Sequence, residues 1–130
     1  MTASLKNQLI QNTDVVLCDA IKSYDLSLYC FVTCDDESSC VTKDARGVIF
    51  HGDNVAMRSY PYTVEHRMAS ISDAVLDDVI ANFHISVSIP GTVLRLFYIR
   101  DTWFLSTHRK INAFNSRWGS SESFGSQFTH

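Results

Sequence analysis

Two pairs of short apolar runs, each joined by a tight turn, constrain this fold more than any other feature of the sequence. The first pair, Arg46–His51 and Val55–Tyr60, flanks a Gly-Asp-Asn tripeptide, and the second pair, Thr92–Ile99 and Thr102–Thr107, flanks an Arg-Asp dipeptide. Extended runs on either side of a short polar connection are typical of antiparallel hairpins. The sequence therefore predicts an antiparallel β-sheet that includes both hairpins.

Short helices and further strands account for most of the remaining residues. Apolar side chains at helical spacing predict helices over Ser4–Asn12, Asp14–Tyr24 and Ser70–Phe83, and in the last of these an apolar residue recurs every four positions. Alternating apolar side chains predict strands over Leu26–Thr33 and Ile85–Ser88. The predicted fold class is α+β, an antiparallel β-sheet with a few short helices.

The C-terminal part of the chain carries weaker patterns. His108–Trp118 mixes features of loop and helix, and the tail 119–130 is rich in serine and phenylalanine, so its last residues are expected to fray. A length of 130 residues fits a single domain, 1–130. Within it we distinguish an acidic N-terminal part, 1–45, a central segment, 46–118, and the tail.

Composition excludes several classes of protein. The chain is 45% hydrophobic and only 19% charged, which is typical of a globular domain rather than a disordered one. No run approaches the roughly 18–20 apolar residues that span a bilayer, and the N-terminus lacks the apolar centre of a signal peptide. We therefore expect no membrane span, and a cytoplasmic or nuclear setting by default.

Basic and aromatic residues are interleaved in one segment although the formal net charge is −3. His108, Arg109 and Lys110 lie between Trp103 and Trp118, with Phe104 and Phe114 also close in sequence. Such interleaving suits a single-stranded nucleic acid, because bases stack on aromatic rings while cations contact phosphates. The commoner arrangement is that the aromatic side chains form core and the basic side chains form a solvated rim.

Four cysteines, Cys18, Cys30, Cys34 and Cys40, lie in the first third of the chain. Their spacing matches no recognised zinc knuckle, although His51 follows closely enough for a zinc site to be considered. Cys30 lies in an apolar run where a small thiol packs well. We predict structural thiols, with Cys30 facing inward and unpaired, and zinc or a disulfide as the alternatives.

Residues 45–125 contain two segments that together resemble a known superfamily. Arg46-Gly47-Val48-Ile49-Phe50 followed by Met57–Tyr62 is similar to the strand pair that precedes the catalytic lysine of RNA ligases. Gly91–Tyr98 followed by Trp103–Thr107 is similar to the strand and hairpin after the lysine in the K-x-D/E-G-[ST]-x-x-R motif of covalent nucleotidyltransferases. The continuation, 108–118, looks like versions carried by large DNA viruses of eukaryotes. The resemblance implies a truncated nucleotidyltransferase-like domain.

The resemblance also implies that the chemistry of the superfamily is missing. In that superfamily a lysine amine attacks the α-phosphate of ATP or GTP. Aligning the motif glycine with Gly91 puts Ser88 at the lysine position and Pro90 at the acidic position. Lys43 and Lys110 lack an acidic-Gly partner at the right spacing, and the later E-G and K-x-K strands have no counterpart in the twelve residues after Trp118. We therefore expect no catalytic residue, no metal site and no cofactor.

Four basic residues remain candidates for contact with phosphate or nucleic acid. Arg46 and Arg95 match positions that, in the superfamily, approach nucleotide phosphate or sugar, and Arg109 and Lys110 belong to the basic cluster. An arginine on a strand can instead pack its stem and leave its head in water.

The resemblance, together with the missing lysine and acidic residue, implies a non-catalytic remnant of the RNA-ligase-like fold that acts as a structural or binding protein. As a viral protein it would be a minor virion component, located in the virion or the host cytoplasm. The alternatives are a ligase-like subunit completed by a partner chain, or a single-stranded nucleic-acid-binding module. We expect a protein partner or self-association through Trp103, Phe114, Trp118 and Phe124, unless the tail folds back and covers this surface within the monomer.

Overall fold

The computed structural model of the chain describes residues 3–130, and its fold is α+β, as predicted. One antiparallel sheet has four strands in the order β1 (Val15–Ile21), β2 (Leu26–Phe31), β3 (Arg46–His51) and β4 (Asn54–Met57). A second, two-stranded sheet is the hairpin β5 (Arg95–Ile99) and β6 (Thr102–Ser106). The helices are α1 (Leu5–Gln11), α2 (Cys40–Asp44), α3 (Asp73–Asn82) and α4 (Phe124–Thr129), and short 3-10 turns cover Lys22–Tyr24, Met68–Ser70 and Ala113–Asn115.

The central strands β2 and β3 are covered on both faces. On one face, β2 presents Leu26, Leu28 and Cys30 to the β5–β6 hairpin, whose Phe97 and Phe104 rings stack with centroids 5.3 Å apart. On the other face a second cluster joins Leu9 of α1 with Ala45 and with Val48 and Phe50 of β3. Successive side chains of a strand point to opposite faces, so the run of apolar residues in β3 supplies both cores.

Both predicted hairpins are present. The β3–β4 turn contains Gly52 with φ 58°, and the β5–β6 turn places Arg100 and Asp101 at φ 46° and 60°. In a two-residue hairpin turn, positive φ at both central residues gives the turn a twist that matches the twist of the flanking strands. The predicted helix over Ser70–Phe83 is also confirmed as α3, which Ser72 caps by accepting from the backbone N–H of Val75.

The helix predicted over Asp14–Tyr24 is wrong, because Val15–Ile21 is the strand β1. The residues Val15, Cys18 and Ile21 fit a helical period, but the segment also holds adjacent β-branched residues that favour a strand. Pairing with β2 along the whole of β1 decides the outcome. The short helix α2 had no predicted counterpart.

The strand predicted over Ile85–Ser88 is also not found. These residues pair with no strand of the described range 3–130, and residues 80–93 are exposed throughout. The strand β5 begins at Arg95 rather than at Thr92. The last residues of the tail do not fray as predicted, because Phe124–Thr129 forms α4, whose Phe124 N–H donates to the carbonyl of Ser116 at 2.8 Å. The buried Gly125 lies against the ring of Phe114.

Candidate phosphate-binding cleft

Each hairpin has an open end, which is the end opposite its turn. The open ends of the two hairpins meet at one side of the molecule and form a cleft of about 670 Å³. Arg46 begins β3 and Arg95 begins β5, while Arg58 follows β4 and His108 comes two residues after β6. Because each hairpin brings its first and last residues together, four side chains that are distant in sequence reach the same cleft. Its full lining is Asp44, Arg46, Arg58, Ser59, Tyr60, Pro61, Val93, Arg95 and His108.

Arg95 forms the base of this cleft and is only 6% exposed. Its guanidinium donates to the backbone carbonyls of Gly47 and Thr107 and, at 3.1 Å, to the hydroxyl of Ser59. The Nε atom has no hydrogen-bond partner among the described residues, and no carboxylate of residues 3–130 forms an ion pair with Arg95. Burial lowers the pKa of this guanidinium, as expected for a cation that has lost water without gaining a counter-ion.

Gly47 allows the chain around Arg95 to pack closely. It is the extra residue of a β-bulge, since Val48 pairs with Tyr29 while Arg46 pairs with Cys30, and its φ is 72°. A Cβ atom at this position would lie 2.6 Å from the carbonyl oxygen of His108. Only glycine therefore fits where β3 meets the segment after β6.

The accessible charges of the cleft are mostly positive. Arg58, whose side chain is half exposed, forms an ion pair with Asp44 at 3.4 Å. Arg46 donates to the carbonyl of Pro61 at 3.5 Å and has no acidic partner in the described chain. An anion entering the cleft would thus meet three guanidinium groups and one carboxylate.

His108 lies half-buried between these arginines. Burial lowers its pKa, and the charges of Arg46 and Arg95 lower it further. The imidazole is therefore mostly neutral near pH 7. A bound anion would oppose the effect of the arginines and favour protonation of His108.

A smaller hollow of about 130 Å³ adjoins the cleft and shares Arg46 and His108 with it. It adds Arg109 and Cys30, and the Cys30 thiol donates to the carbonyl of His108 at 2.9 Å. Burial and the neighbouring Cys18 raise the pKa of Cys30 to about 12. This thiol is a packed donor and not a nucleophile near neutral pH.

The structure brings together three of the four predicted phosphate-contacting residues, Arg46, Arg95 and Arg109. Lys110 is exposed and lines neither cavity. The sequence placed His108 in the basic cluster but did not single it out as a phosphate contact, and it did not include Arg58. The signal that could have identified Arg58 is its position on the strand that pairs with the Arg46 strand in the predicted first hairpin.

Three of the four residues predicted to form a partner surface are exposed. Trp103 is 65% exposed and packs beside Tyr98 on the outer face of the β5–β6 hairpin, and Trp118 is 84% exposed. Phe114 remains about half exposed, whereas Phe124 is partly covered where α4 folds back. The tail therefore covers part of the predicted surface and leaves both tryptophans in solvent.

The cysteines face different environments. Cys30 is buried, which confirms its predicted inward orientation, and Cys18, Cys34 and Cys40 are also free thiols. Within residues 3–130 no group of three or more His, Cys, Asp or Glu side chains is arranged to hold a metal ion. The described helices include none long and apolar enough to cross a membrane.

These features define an α+β protein with a cationic cleft at the open ends of two hairpins. The chain is similar to the immediate-early protein ICP-46 homolog of Invertebrate iridescent virus 6, with 34% identity over 89 residues that cover 64% of this chain and 19% of the relative. It is also similar to the immediate-early protein ICP-46 homolog of Invertebrate iridescent virus 3, with 38% identity over 68 residues, 50% of this chain and 15% of that relative.

The chain is therefore related to ICP-46 immediate-early proteins of iridoviruses, which are large DNA viruses. This agrees with the resemblance to proteins of such viruses. The chain spans about a fifth or less of the length of these relatives. No protein-family model matches the chain, so the comparisons identify no nucleotidyltransferase family. No solved structure matches it either.

Proposed function

We propose that this chain is a non-catalytic binding protein whose cleft recognises the phosphates of a single-stranded nucleic acid. The observation that carries the proposal is the buried guanidinium of Arg95, which has no carboxylate partner in the described chain and lies at the base of an open cleft. A buried cation without a counter-ion is costly. A bound anion would supply the missing charge.

The geometry of the donors suits a phosphate. Arginine presents planar N–H donors that match the oxygens of a phosphate, and Arg46 and Arg58 line the cleft above Arg95. Arg58 is held only by a partly exposed ion pair with Asp44, which is worth about 0–1 kcal/mol. A phosphate can therefore compete with Asp44 for this guanidinium at little cost.

A strand with several phosphates fits better than one free nucleotide. The cleft and the adjoining hollow form a row of cationic side chains that extends from Arg58 past Arg46 to Arg109. Tyr60 is exposed at the rim of the cleft, where its ring is free to stack on a base. A backbone that follows this row would contact more than one arginine.

The absence of suitable groups supports a non-catalytic role. No lysine among residues 3–130 lines the cleft or the hollow, and Lys43 donates to the carbonyl of Asp36 at 2.6 Å. Ser88 and Pro90, the residues aligned with the motif lysine and acid, lie in the exposed segment 80–93 and outside both cavities.

Binding of a labelled single-stranded RNA, followed by fluorescence anisotropy, tests the proposal. Replacing both Arg46 and Arg58 with glutamine should weaken binding more than tenfold and reduce the salt dependence of binding, because two phosphate contacts are lost. Arg100→Gln, at the exposed turn on the far end of the β5–β6 hairpin, is the matched control and should bind normally. Competition with ATP and with inorganic phosphate distinguishes binding of a nucleic-acid strand from binding of a free nucleotide or free phosphate. Equal affinity of the wild-type and double-variant chains would refute the site.

A second experiment tests the non-catalytic role. The pure chain incubated with labelled ATP or GTP and a divalent metal should form no adduct that survives denaturation. A labelled band that disappears in Lys110→Ala would show that the chain performs nucleotidyl transfer.

A second candidate function is that of a minor virion component that contacts a neighbouring protein. The observation that favours it is the exposure of Trp103 and Trp118, since large aromatic side chains are enriched at protein interfaces. Quantitative mass spectrometry of purified particles would test this role. If the chain is depleted from particles relative to infected-cell lysate, the structural role fails.

A further inference from the structure

We propose that residues 83–89 are an intermolecular β-strand that pairs with the open edge of β1 in a second copy of this chain. The segment Phe83-His84-Ile85-Ser86-Val87-Ser88-Ile89 lies between α3 and β5. It carries the alternation of a strand but has no strand partner among the residues that the structure describes. Neither this segment nor β1 lines the cationic cleft.

The side chains of this segment have the pattern of a strand with one apolar face. Phe83, Ile85, Val87 and Ile89 alternate with a histidine and two serines. All four apolar side chains are exposed, with Val87 at 92% and Ile89 at 86%. A continuous apolar row in solvent is unfavourable for an isolated monomer, and it marks an interaction surface.

The backbone of the segment is free to pair from His84 onward, whereas the Phe83 N–H donates to the carbonyl of Val79 at the end of α3. Phe83 has extended dihedral angles, φ −126° and ψ 152°, and no turn or bend occurs from His84 to Pro90. Within residues 3–130, no turn, loop or cap hydrogen bond between backbone groups involves residues 84–94, which precede β5. Pro90 lacks an N–H and ends the run that could join a ladder. An extended peptide with free backbone groups and an alternating apolar row is suited to adding a strand to a sheet edge.

The edge of β1 provides a matching acceptor. Both β1 and the segment 83–89 have seven residues, and within residues 3–130 β1 pairs only with β2, which leaves its outer edge open to an added strand. The other outer strand of the four-stranded sheet, β4, has only four residues. Val16 and Leu17 of β1 are both exposed and can cover apolar side chains of an added strand.

The charges of the two strands are compatible. The segment 83–89 contains no acidic residue, lysine or arginine. Asp19 is the only charged residue of β1, and its carboxylate accepts from the N–H groups of Ile111 at 2.9 Å and Ala20 at 3.0 Å. Because Asp19 is already satisfied, an uncharged strand can pair with this edge without burying an unpaired carboxylate.

This pairing uses two different surfaces of each copy, so it is heterologous. Heterologous contacts close into rings or continue as filaments. One strand of seven residues buries less than the roughly 1,600 Å² of a typical stable complex, so a single contact should be weak and depend on concentration.

Sedimentation velocity of the full chain over a concentration series is the primary test. The wild-type chain should sediment as oligomers whose mean size increases with concentration. Val87→Lys, in the apolar row, should remain monomeric, as should Leu17→Lys on the β1 edge. Ser86→Lys, on the polar row of the same segment, is the matched control and should associate like the wild type. Leu17, Ser86 and Val87 are all exposed, so a lysine at any of these positions should leave the fold intact, and circular dichroism of each variant checks this.

Mixing the two monomeric variants makes the test specific. Leu17→Lys keeps an intact strand 83–89, and Val87→Lys keeps an intact β1 edge, so the mixture should form heterodimers and nothing larger. A wild-type chain that is monomeric at every concentration would overturn the proposal. So would association that persists in Val87→Lys or Leu17→Lys, or two monomeric variants whose mixture remains monomeric.

Discussion

Gly47 and His108 are in such close contact that a Cβ atom on Gly47 would lie 2.6 Å from the His108 carbonyl oxygen. The contact joins the bulge of β3 to the segment that follows β6. Arg95 reinforces the same junction, since it donates to the carbonyls of Gly47 and Thr107. The cleft therefore depends on backbone packing that a side chain at position 47 would disrupt.

Gly47→Ala should destabilise the fold strongly. The left-handed φ of 72° costs an alanine about 1–2 kcal/mol, and overpacking against fixed backbone adds about 1–3 kcal/mol. Gly119→Ala is the matched control, because Gly119 has φ 68° but nothing within 4 Å of its added Cβ. Urea unfolding of both variants measures the difference. Equal losses of unfolding free energy in Gly47→Ala and Gly119→Ala would show that the backbone of His108 does not exclude a side chain at position 47.

Arg95→Lys should lower the free energy of unfolding by about 2–4 kcal/mol, although the charge is kept. A lysine ammonium cannot donate in the planar geometry that reaches Gly47, Thr107 and Ser59 together, and each lost bond from a charged donor costs about 1.5–3 kcal/mol. Arg100→Lys, at an exposed turn, should change stability by less than about 0.5 kcal/mol. Thermal and urea unfolding measure the free energy of unfolding of both variants. An Arg95→Lys variant as stable as the wild type would contradict this role of the Arg95 hydrogen bonds.

The stability of the chain should decrease as the pH falls from about 7.5 to about 5, in part because of His108. Its folded-state pKa is lowered, so the unfolded chain takes up a proton near its ordinary pKa of about 6.5 before the folded chain does. His108 therefore contributes to the free energy of unfolding above a pH of about 6.5, and this contribution is lost as the pH falls through the lowered pKa of the folded state. His108→Gln should flatten the pH dependence of the unfolding free energy, whereas His130→Gln, at the exposed C-terminal end, should leave the profile unchanged.

Cys30 should react with iodoacetamide far more slowly than Cys40. Cys30 is buried, donates to the carbonyl of His108, and has its pKa raised to about 12, so almost no thiolate is present at neutral pH. Cys40 is exposed. A time course followed by peptide mass spectrometry separates the sites, and unfolding in urea should abolish the difference. Comparable rates in the folded chain would show that Cys30 is not buried.

Gly125→Leu should release the tail from the rest of the fold. A Cβ at this position would lie 2.5 Å from the ring of Phe114, so a larger side chain cannot remain between α4 and that ring. Hydrogen exchange over residues 124–129 should accelerate, while exchange in β2 and β3 stays slow. Gln127→Leu, on the exposed side of α4, is the control and should keep the tail protected. Unchanged exchange in Gly125→Leu would argue against docking of α4.

Local sequence signals determined much of this fold. The turn residues and alternating apolar runs predicted both hairpins, and apolar residues at every fourth position predicted α3, because these features depend on interactions between near neighbours. The relation to proteins of large DNA viruses also followed from residues 45–125. Arg46 and Arg95 could be named as candidates because each matches a position that approaches nucleotide phosphate or sugar in the superfamily that the chain resembles.

Only the tertiary structure decided the rest. Val15–Ile21 fits both a helical and an extended period, and its pairing with β2 selected the strand. Ile85–Ser88 has the alternation of a strand, yet no strand in the described part of the chain pairs with it. Arg58 and His108 join the cleft because one hairpin stacks on the other through Phe97 and Phe104. Contacts between residues far apart in sequence depend on how whole elements pack, and neither local propensity nor periodicity contains that information.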